Sequence, residues 1–572
     1  MIVTGAWAPI PLNEADRTVH LITLDQCDVA FHDAMDALQS EPSIDLRQRA
    51  PGIQGDLSIR GSTFGQTLVL VDGLRMNDAQ TAHNNLDLPF PFSAVQQIEV
   101  LDGTGSTLYG ADALGGVVNF QTAVPEESDV KLAAGVGNFG TNMQSGVLAL
   151  HKDFLTEQIT FNRELSTGFV PNRDYRSLAL GAETSFHSSL GLTRVLLGLS
   201  DRPFGAQGFY GNYPSWERTK GWFAGLTQPL GSKTDVSFGY RRHTDLYDLF
   251  RYQPWIYQND HITESWQAAL RRHDNIKPNV QVYYGAEGYR DTIDSNNLGH
   301  HVRDRGAVYG ALDIRALRRF SFNAGVREER FTGGHSAFTP SVSGGYWVNT
   351  HLKFHAAAST AYRLPTFTDL YYSDPANIGN PHLLPERATS YEGGAQVTFG
   401  RLTGDATVFR RYDNDVIDYL RANPPAIWQA ENLQNLQFTG VTATARIRLA
   451  RAQRVEVGYT ALHGTEHALP PGDQSKYVFE YPVQSASVSW WGEAPQRVIL
   501  HLRIGVLDRY ARDPYPLAEL SASRAFGYCK PFVQLRNVMN AGYEEIPGVR
   551  MPGRSYLVGI EFTSRTRAHV AN

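Results

Sequence analysis

From about Pro125 to Phe562 the chain repeats one short pattern. An apolar residue stands at every second position, and each run closes on a polar, Gly- or Pro-bearing turn. Val236, Phe238 and Tyr240 form one such run, and Phe320, Phe322, Ala324 and Val326 another. Leu352 to Tyr362, Tyr391 to Phe399, Val455 to Ala461, Val498 to Val506 and Tyr556 to Phe562 keep the same phase. The intervening positions carry Ser, Gly, Arg, Asn, His or Glu. A period of two with one apolar face predicts strands with a greasy side and a wet side. The greasy side is either the core of a soluble sandwich or the lipid face of a barrel with a wet lumen. Alternation is the same in both, and so is a mean hydropathy of −0.32. There is no run of about 18 apolar residues, so no helix can span a membrane. No linker divides the pattern into several sandwiches, which favours one barrel. The pairs Tyr371-Tyr372 and Trp490-Trp491, at the ends of runs, are placed for interfacial girdles.

The first 124 residues have another texture. Apolar spacing at Val29, Ala30, Ala34, Ala37 and Leu38 predicts a helix that Pro42 ends. Leu68 to Val71 is a buried-type strand running into an Asp72-Gly73 turn. Ile98 to Phe120, IEVLDGTGSTLYGADALGGVVNF, holds two β-prone runs around a cluster of glycines. Gly103, Gly110, Gly115 and Gly116 there imply backbone packed tightly against something, not a free loop.

That stretch resembles the plug of TonB-dependent outer-membrane receptors, whose pattern reads roughly "IEVIRGPxSxLYGxxAxGGVINI". The chain keeps Ile98, Glu99, Val100, Gly103, Ser106, Leu108-Tyr109-Gly110, Ala113, Gly115-Gly116 and Val117. It departs at Asp102 and Thr104, where the family usually carries Arg and Pro. Ser58-Ile59-Arg60-Gly61 matches the family's "xIRG", and VLVDGLRMN (69–77) its "VLVDGVRxN". Tyr362 to Gly394 resembles "FRxPTxxDLYxxxxGNPxLxPExSxxYExG". Asn537 to Phe562 resembles the closing strands, although Thr563 to Asn572 extend past the usual terminal aromatic.

The resemblance implies an all-β transmembrane barrel of 22 antiparallel strands, with an N-terminal mixed α/β plug inside its lumen. Roughly 430 residues then give about 20 per strand with its connection. The expected divisions are a TonB-box-like segment at 1–5, the plug at 6–124, the barrel at 125–562 and a tail at 563–572. Ile2, Val3 and Thr4 would contact TonB by strand addition. Arg60, Gly61, Asp72, Gly73, Gly103, Tyr109, Gly110, Gly115 and Gly116 would be structural plug residues. His83, Asn84 and Asn85, in a polar loop, either touch ligand or solvate a turn. Tyr210, Trp216 and Trp255 lie in aromatic stretches that, as outer loops, offer rigid faces to a bulky ligand.

The expected function is energised import of a scarce bulky nutrient, a ferric siderophore, cobalamin or another small molecule or metal chelate. The partners are TonB with its inner-membrane energising complex and outer-membrane lipid, and the chain is expected to act as a monomer. A passive porin-like or adhesin barrel is the alternative. An exported chain that starts without a basic and apolar leader is expected to begin downstream of one. With 52 basic and 58 acidic residues, net −6, the charge is too balanced to argue for nucleic acid. Cys27 and Cys529 read as unrelated free thiols. Gly135 to Gly140 is a formal GxGxxG, but a strand-like run follows it instead of a helix. His300-His301 read as exposed loop, and Asp413-Asn414-Asp415 lacks calcium-loop spacing. No metal, cofactor or catalytic motif is expected.

Overall fold

The computed structural model describes residues 2–3, 7, 9–24, 31, 33–317, 319–423, 426–450, 452–465, 469 and 472–564. The N-terminal part contains β1 (Ile2–Val3), β2 (Ile10–Pro11), β3 (Val19–Thr23), α1 (Ala34–Leu38), β4 (Ile44–Ala50) and β5 (Gln54–Ile59). It continues with β6 (Thr67–Val71), β7 (Leu74–Arg75), β8 (Val95–Asp102), α2 (Ser106–Tyr109) and β9 (Gly116–Thr122). Five of the strands form one sheet in the order β3-β8-β9-β6-β7. β6 and β9 pair in parallel, Leu68 opposite Val117.

Both faces of this sheet are covered, which is why its strands read as continuous apolar runs. Val69, Val71, Ile98, Val100, Val118 and Phe120 pack on one side. Leu68, Leu70, Leu101 and Val117 pack on the other. Asp72 (φ 47) and Gly73 (φ 80) turn β6 into β7 with both central residues left-handed, the geometry of a tight primed hairpin turn. Gly116 is needed for close approach. A Cβ there would lie 2.5 Å from the Leu101 carbonyl oxygen and 2.7 Å from Ile59 Cδ1.

The predicted helix is shorter than the apolar spacing implies. α1 begins where the Asp33 side chain accepts from the Asp36 amide at 2.9 Å, and it ends at Leu38, ahead of Pro42. Val29, Ala30 and Cys27 lie outside the described residues.

The remainder is a closed barrel of 22 antiparallel strands around this domain. It opens with β10 (Asp129–Gly137), β11 (Asn142–Lys152), β12 (Leu155–Ser166) and β13 (Tyr175–Ser188). It closes where β10 pairs with the last strand, Ser555–Thr563, Leu132 opposite Phe562. Closure leaves no unpaired edge, as a hydrocarbon surround requires. Connections at the end shared with Asp129 and Thr563 are tight, such as 153–154, 189–190 and 400–401. Those at the other end are long, such as 364–385, 415–435 and 537–554. Gln258–Lys277 has 20 residues, about twice what a barrel strand needs to cross a bilayer.

The greasy phase faces outward. Phe238, Phe320, Phe354, Tyr391, Val506 and Ile560 are exposed, whereas Arg241, His243, Glu287, Arg327 and Glu329 are buried toward the lumen. Trp490 is on the outward phase, but its neighbour Trp491 must face inward, where it stacks on His501 at 4.6 Å. Tyr371 and Tyr372 are not girdle residues. They end and follow the loop helix Phe367–Tyr371, where Tyr371 stacks on His301 at 3.7 Å. Gly135 to Gly137 end β10 and residues 138–141 lead into β11 with no helix, and Asp413 is a buried strand residue held by Arg411 at 2.9 Å. Cys529 is a free, exposed thiol.

Replacing Gly116 by Val drives a branched side chain into Leu101 and Ile59, an overpacking that costs about 1–3 kcal/mol or more. The plug transition in scanning calorimetry of the detergent-solubilised protein is expected to fall. The barrel transition and heat-modifiable gel migration are expected to stay unchanged.

Candidate functional site

A barrel with a greasy outside has a polar inside, so whatever fills it must match that polarity. The plug does so with buried ion pairs. Asp78 meets Arg241 at 2.7 Å, Asp45 meets Arg509 at 2.7 Å and Asp16 meets Lys353 at 2.8 Å. Arg60 reaches Glu392 of the wall at 2.8 Å and Asp102 of its own domain at 3.2 Å. Asp102 also accepts from the Ser43 hydroxyl at 2.9 Å and sits 3.5 Å from His20 Nε2, whose Nδ1 lies 3.6 Å from Glu41. Arg17 adds a second cation 3.7 Å from Glu392. Thr104 joins the wall by a hydroxyl–hydroxyl contact with Ser359. The two departures from the family pattern are therefore built into the interface: Asp102 is a buried acceptor that two cations face.

Burial disfavours the charged form of every group here. At His20 it is outweighed by the Glu41 and Asp102 carboxylates, which raise the imidazole to about 9. At Asp102, Arg60 and His20 outweigh it and hold the carboxyl below its ordinary range. At Glu41 burial wins and lifts the carboxyl to about 7.

At the long-loop end the plug apex carries a second cluster. His83 Nδ1 is 2.7 Å from Asp56 Oδ1, which Arg49 also reaches at 3.4 Å. Burial pushes the His83 imidazole down, against the pull of Asp56. Phe64 stacks on His83 at 4.3 Å, and Tyr477, from a loop, meets Phe64 edge-on at 5.1 Å. Lys476 Nζ lies 5.3 Å from the ring centres of Tyr419 and Tyr477 and 5.9 Å from Trp428, cation–π distances. The Tyr210 hydroxyl sits 3.0 Å from Gln54 Oε1 and 2.9 Å from Glu217 Oε2, and Arg49 lies over its ring.

The structure thus brings His83, Asn84 and Tyr210 to one place, since Gln54 also donates to Asn84 Oδ1 at 3.3 Å. Asn84 and Asn85 do not solvate a turn. They are 2% and 3% exposed, and Asn85 Oδ1 accepts from the Asp78 amide. Trp216 opens a wall strand opposite Gly205 and Asp248. Trp255 stands apart, 78% exposed in the connection 249–257. His301 is not loose loop: it packs on Tyr371. Asp72 accepts from the Thr122 amide at 3.0 Å, and the Gly73 amide donates to Asn119 Oδ1 at 3.1 Å. Gly61 faces Phe438 of the wall, while Gly103 faces Glu392 and Arg60. Tyr109 ends α2, and Gly110 follows it against Arg327 and Glu329. A Cβ at Gly115 would overlap Ser62.

At the tight-turn end, Ile2 and Val3 form a short antiparallel ladder with Pro11 and Ile10. Thr4 lies outside the described residues. Arg49, Asp56, Phe64, Lys476 and Tyr477 were not singled out in sequence. No local motif marks them, because chain segments about 400 residues apart meet only in the closed barrel.

Comparison with known proteins agrees with this architecture. The family described as "TonB dependent receptor-like, beta-barrel" matches residues 118–538, and "TonB-dependent Receptor Plug Domain" matches 11–117. A vitamin B12 transporter, BtuB, of Photobacterium profundum is 24% identical over 78% of this chain and 75% of its own. The BtuB of Vibrio vulnificus is 25% identical over 72% and 69%. Among solved structures, the siderophore receptor PirA of Pseudomonas aeruginosa superposes with a TM-score of 0.76 at 16% identity, covering 96% of this chain and 99% of that one. The FrpB iron transporter of Neisseria meningitidis gives 0.77 at 15%, covering 95% and 99%. At those identities the structural likeness shows the fold.

His20 makes the plug pH-sensitive. Unfolded, its imidazole titrates near 6.5; folded, near 9. The stabilisation is fully present below the first value and is lost as pH rises through the second. The plug transition in calorimetry is expected to fall between pH 7 and 10. His20→Gln is expected to lower it at pH 7 and to flatten that slope.

Proposed function

This chain belongs to the TonB-dependent receptors, and on that premise we propose that it imports a bulky, scarce nutrient across the outer membrane of a Gram-negative bacterium. Energy reaches it through TonB and the inner-membrane energising complex. The observation that carries this reading is a closed barrel whose lumen is filled by a folded domain ending in a short pairing segment. A passive pore has no use for such a filling. In this reading 1–5 is the segment that TonB takes, 6–124 the plug, 125–562 the barrel and 563–572 a tail. Ile2 and Val3 leave their own ladder and, with Thr4, add as a strand to TonB. One chain works alone, in outer-membrane lipid, with no cofactor and no catalytic step.

Cobalamin is the first cargo candidate, supported by alignment with vitamin B12 transporters over about three quarters of the chain. A ferric siderophore is the second. Lys476 among the flat faces of Tyr419, Trp428 and Tyr477, with Arg49 over the Tyr210 ring, suits an anionic chelate. His83, Asn84, Asn85 and Tyr210 belong to this apex, with Trp216 and Trp255 further out on the rim.

Cells expressing the exported chain are expected to take up labelled cyanocobalamin or one of a panel of ferric siderophores. Val3→Pro removes a backbone donor that strand pairing needs. It is expected to abolish uptake and leave surface binding intact. Uptake unchanged by Val3→Pro would overturn the coupling at this segment.

A further inference from the structure

The plug does not hold all parts of the wall alike. Ion pairs fasten it to the strands that carry Arg241, Lys353, Glu392 and Arg509, and, on the flanks of β10–β13, to Arg194, Arg202 and Arg536. Against β12 it meets the wall through a neutral hydrogen bond, Ser93 Oγ to Asn162 Oδ1 at 2.7 Å. Beside that contact lies a cavity of about 440 Å³ between the plug and the sector formed by β10 to β13 and the closing strand. Its plug side is apolar, with Leu24, Phe31, Leu88, Phe90 and Phe92, and its barrel side is polar, with Lys131, Gln144, Gln158 and Arg163. Its inner end is at Pro125, Glu127 and Asp129, where the first barrel strand begins.

A second cavity, of about 80 Å³, continues the first toward the long loops. Its lining includes Asn138, Phe139, Gly168, Phe169 and Pro552, all in outer connections. The two cavities share three lining residues, Glu164, Tyr175 and Gln534. There Tyr175 packs against the plug cluster of Ala50 and Ile53 and is held by donating its hydroxyl to Glu164 Oε1 of the neighbouring wall strand. The two cavities thus abut at Tyr175, one reaching the outer loops and the other the inner rim.

We infer that cargo passes along this sector, between the apolar plug face and the polar wall, and that the Glu164–Tyr175 contact is its gate. This rests on the import reading above. At β12 the plug gives up only a neutral hydrogen bond to part from the wall, which is weaker than a charge-assisted one, while the pairs Asp87–Arg202 and Asp36–Arg536 hold it on either flank. A passage with one greasy and one polar wall suits a bulky amphipathic solute.

Two measurements on the full-length protein test it. In planar bilayers, Tyr175→Ala joins the cavities, and ion conductance is expected to rise several-fold over the unmodified chain. Unchanged conductance overturns the gate, whether or not any cargo is imported. In cells, with Cys27 and Cys529 replaced by Ser, a disulfide from Ser93→Cys with Asn162→Cys pins the plug to this sector. Uptake of whichever probe the unmodified chain takes, cyanocobalamin or a ferric siderophore, is expected to stop and to return with reductant. A disulfide from Thr104→Cys with Ser359→Cys, on another side, is expected to leave most uptake in place. Equal loss with both tethers, or none with the first, overturns the route. Failure of the unmodified chain to import any probe overturns the import reading instead.

Discussion

Every backbone N–H and C=O that meets lipid must find a partner within the protein, because hydrocarbon offers none. This constraint closes 22 strands into a ring and sends alternate side chains outward. It also decides what the other half of those side chains must be. The inward set is rich in Arg, His, Asp and Glu, and many of them are buried once the lumen is filled. A charge left unpaired there costs far more than a paired one gains. The plug therefore has to bring opposite charges to fixed places, and it does so at Asp16, Asp45, Arg60 and Asp78. The register of plug against wall is set by these pairs.

The cluster around Asp102 illustrates how such a register survives a change of sign. Where the family usually has a cation, this chain has an anion, and the compensation is spread over several segments. Arg60 turns toward Asp102, His20 takes a proton between Asp102 and Glu41, and Arg17 supplies a cation for Glu392. The arrangement keeps a cation facing Glu392 of the wall while making the plug's own fold depend on the charge of His20.

The same bookkeeping bears on movement. Ion pairs bind the plug to a wide arc of the wall, and the arc beside β10–β13 faces a cavity instead. Between the flanking pairs Asp87–Arg202 and Asp36–Arg536, the neutral Ser93–Asn162 hydrogen bond marks the weaker junction of plug and wall. The aromatic apex lies at one end of the plug and the Ile2–Val3 ladder belongs to the terminal segment, with the five-stranded sheet between them.

Much of this was legible in the sequence for local reasons. Period-two alternation marks strands and the Asp72-Gly73 pair marks a turn, because each depends on neighbours in the chain; the glycine at 116 signals a close approach, but its partners Leu101 and Ile59 are met only in the fold. Whether the apolar phase meets lipid or a core is not local, and only ring closure placed Phe320 and Ile560 outside. Trp490 and Trp491 could not both face lipid, since adjacent strand residues point to opposite sides. Arg60 meets Glu392, His83 meets Asp56 and Tyr210 meets Gln54 across tens to hundreds of residues, so no spacing rule could name these partners. The sequence alone determined the strands, the turn chemistry and the family pattern. Tertiary structure decided which charges meet, where the apex cluster assembles and where space remains, because pairing across the lumen depends on the closed ring and not on order along the chain.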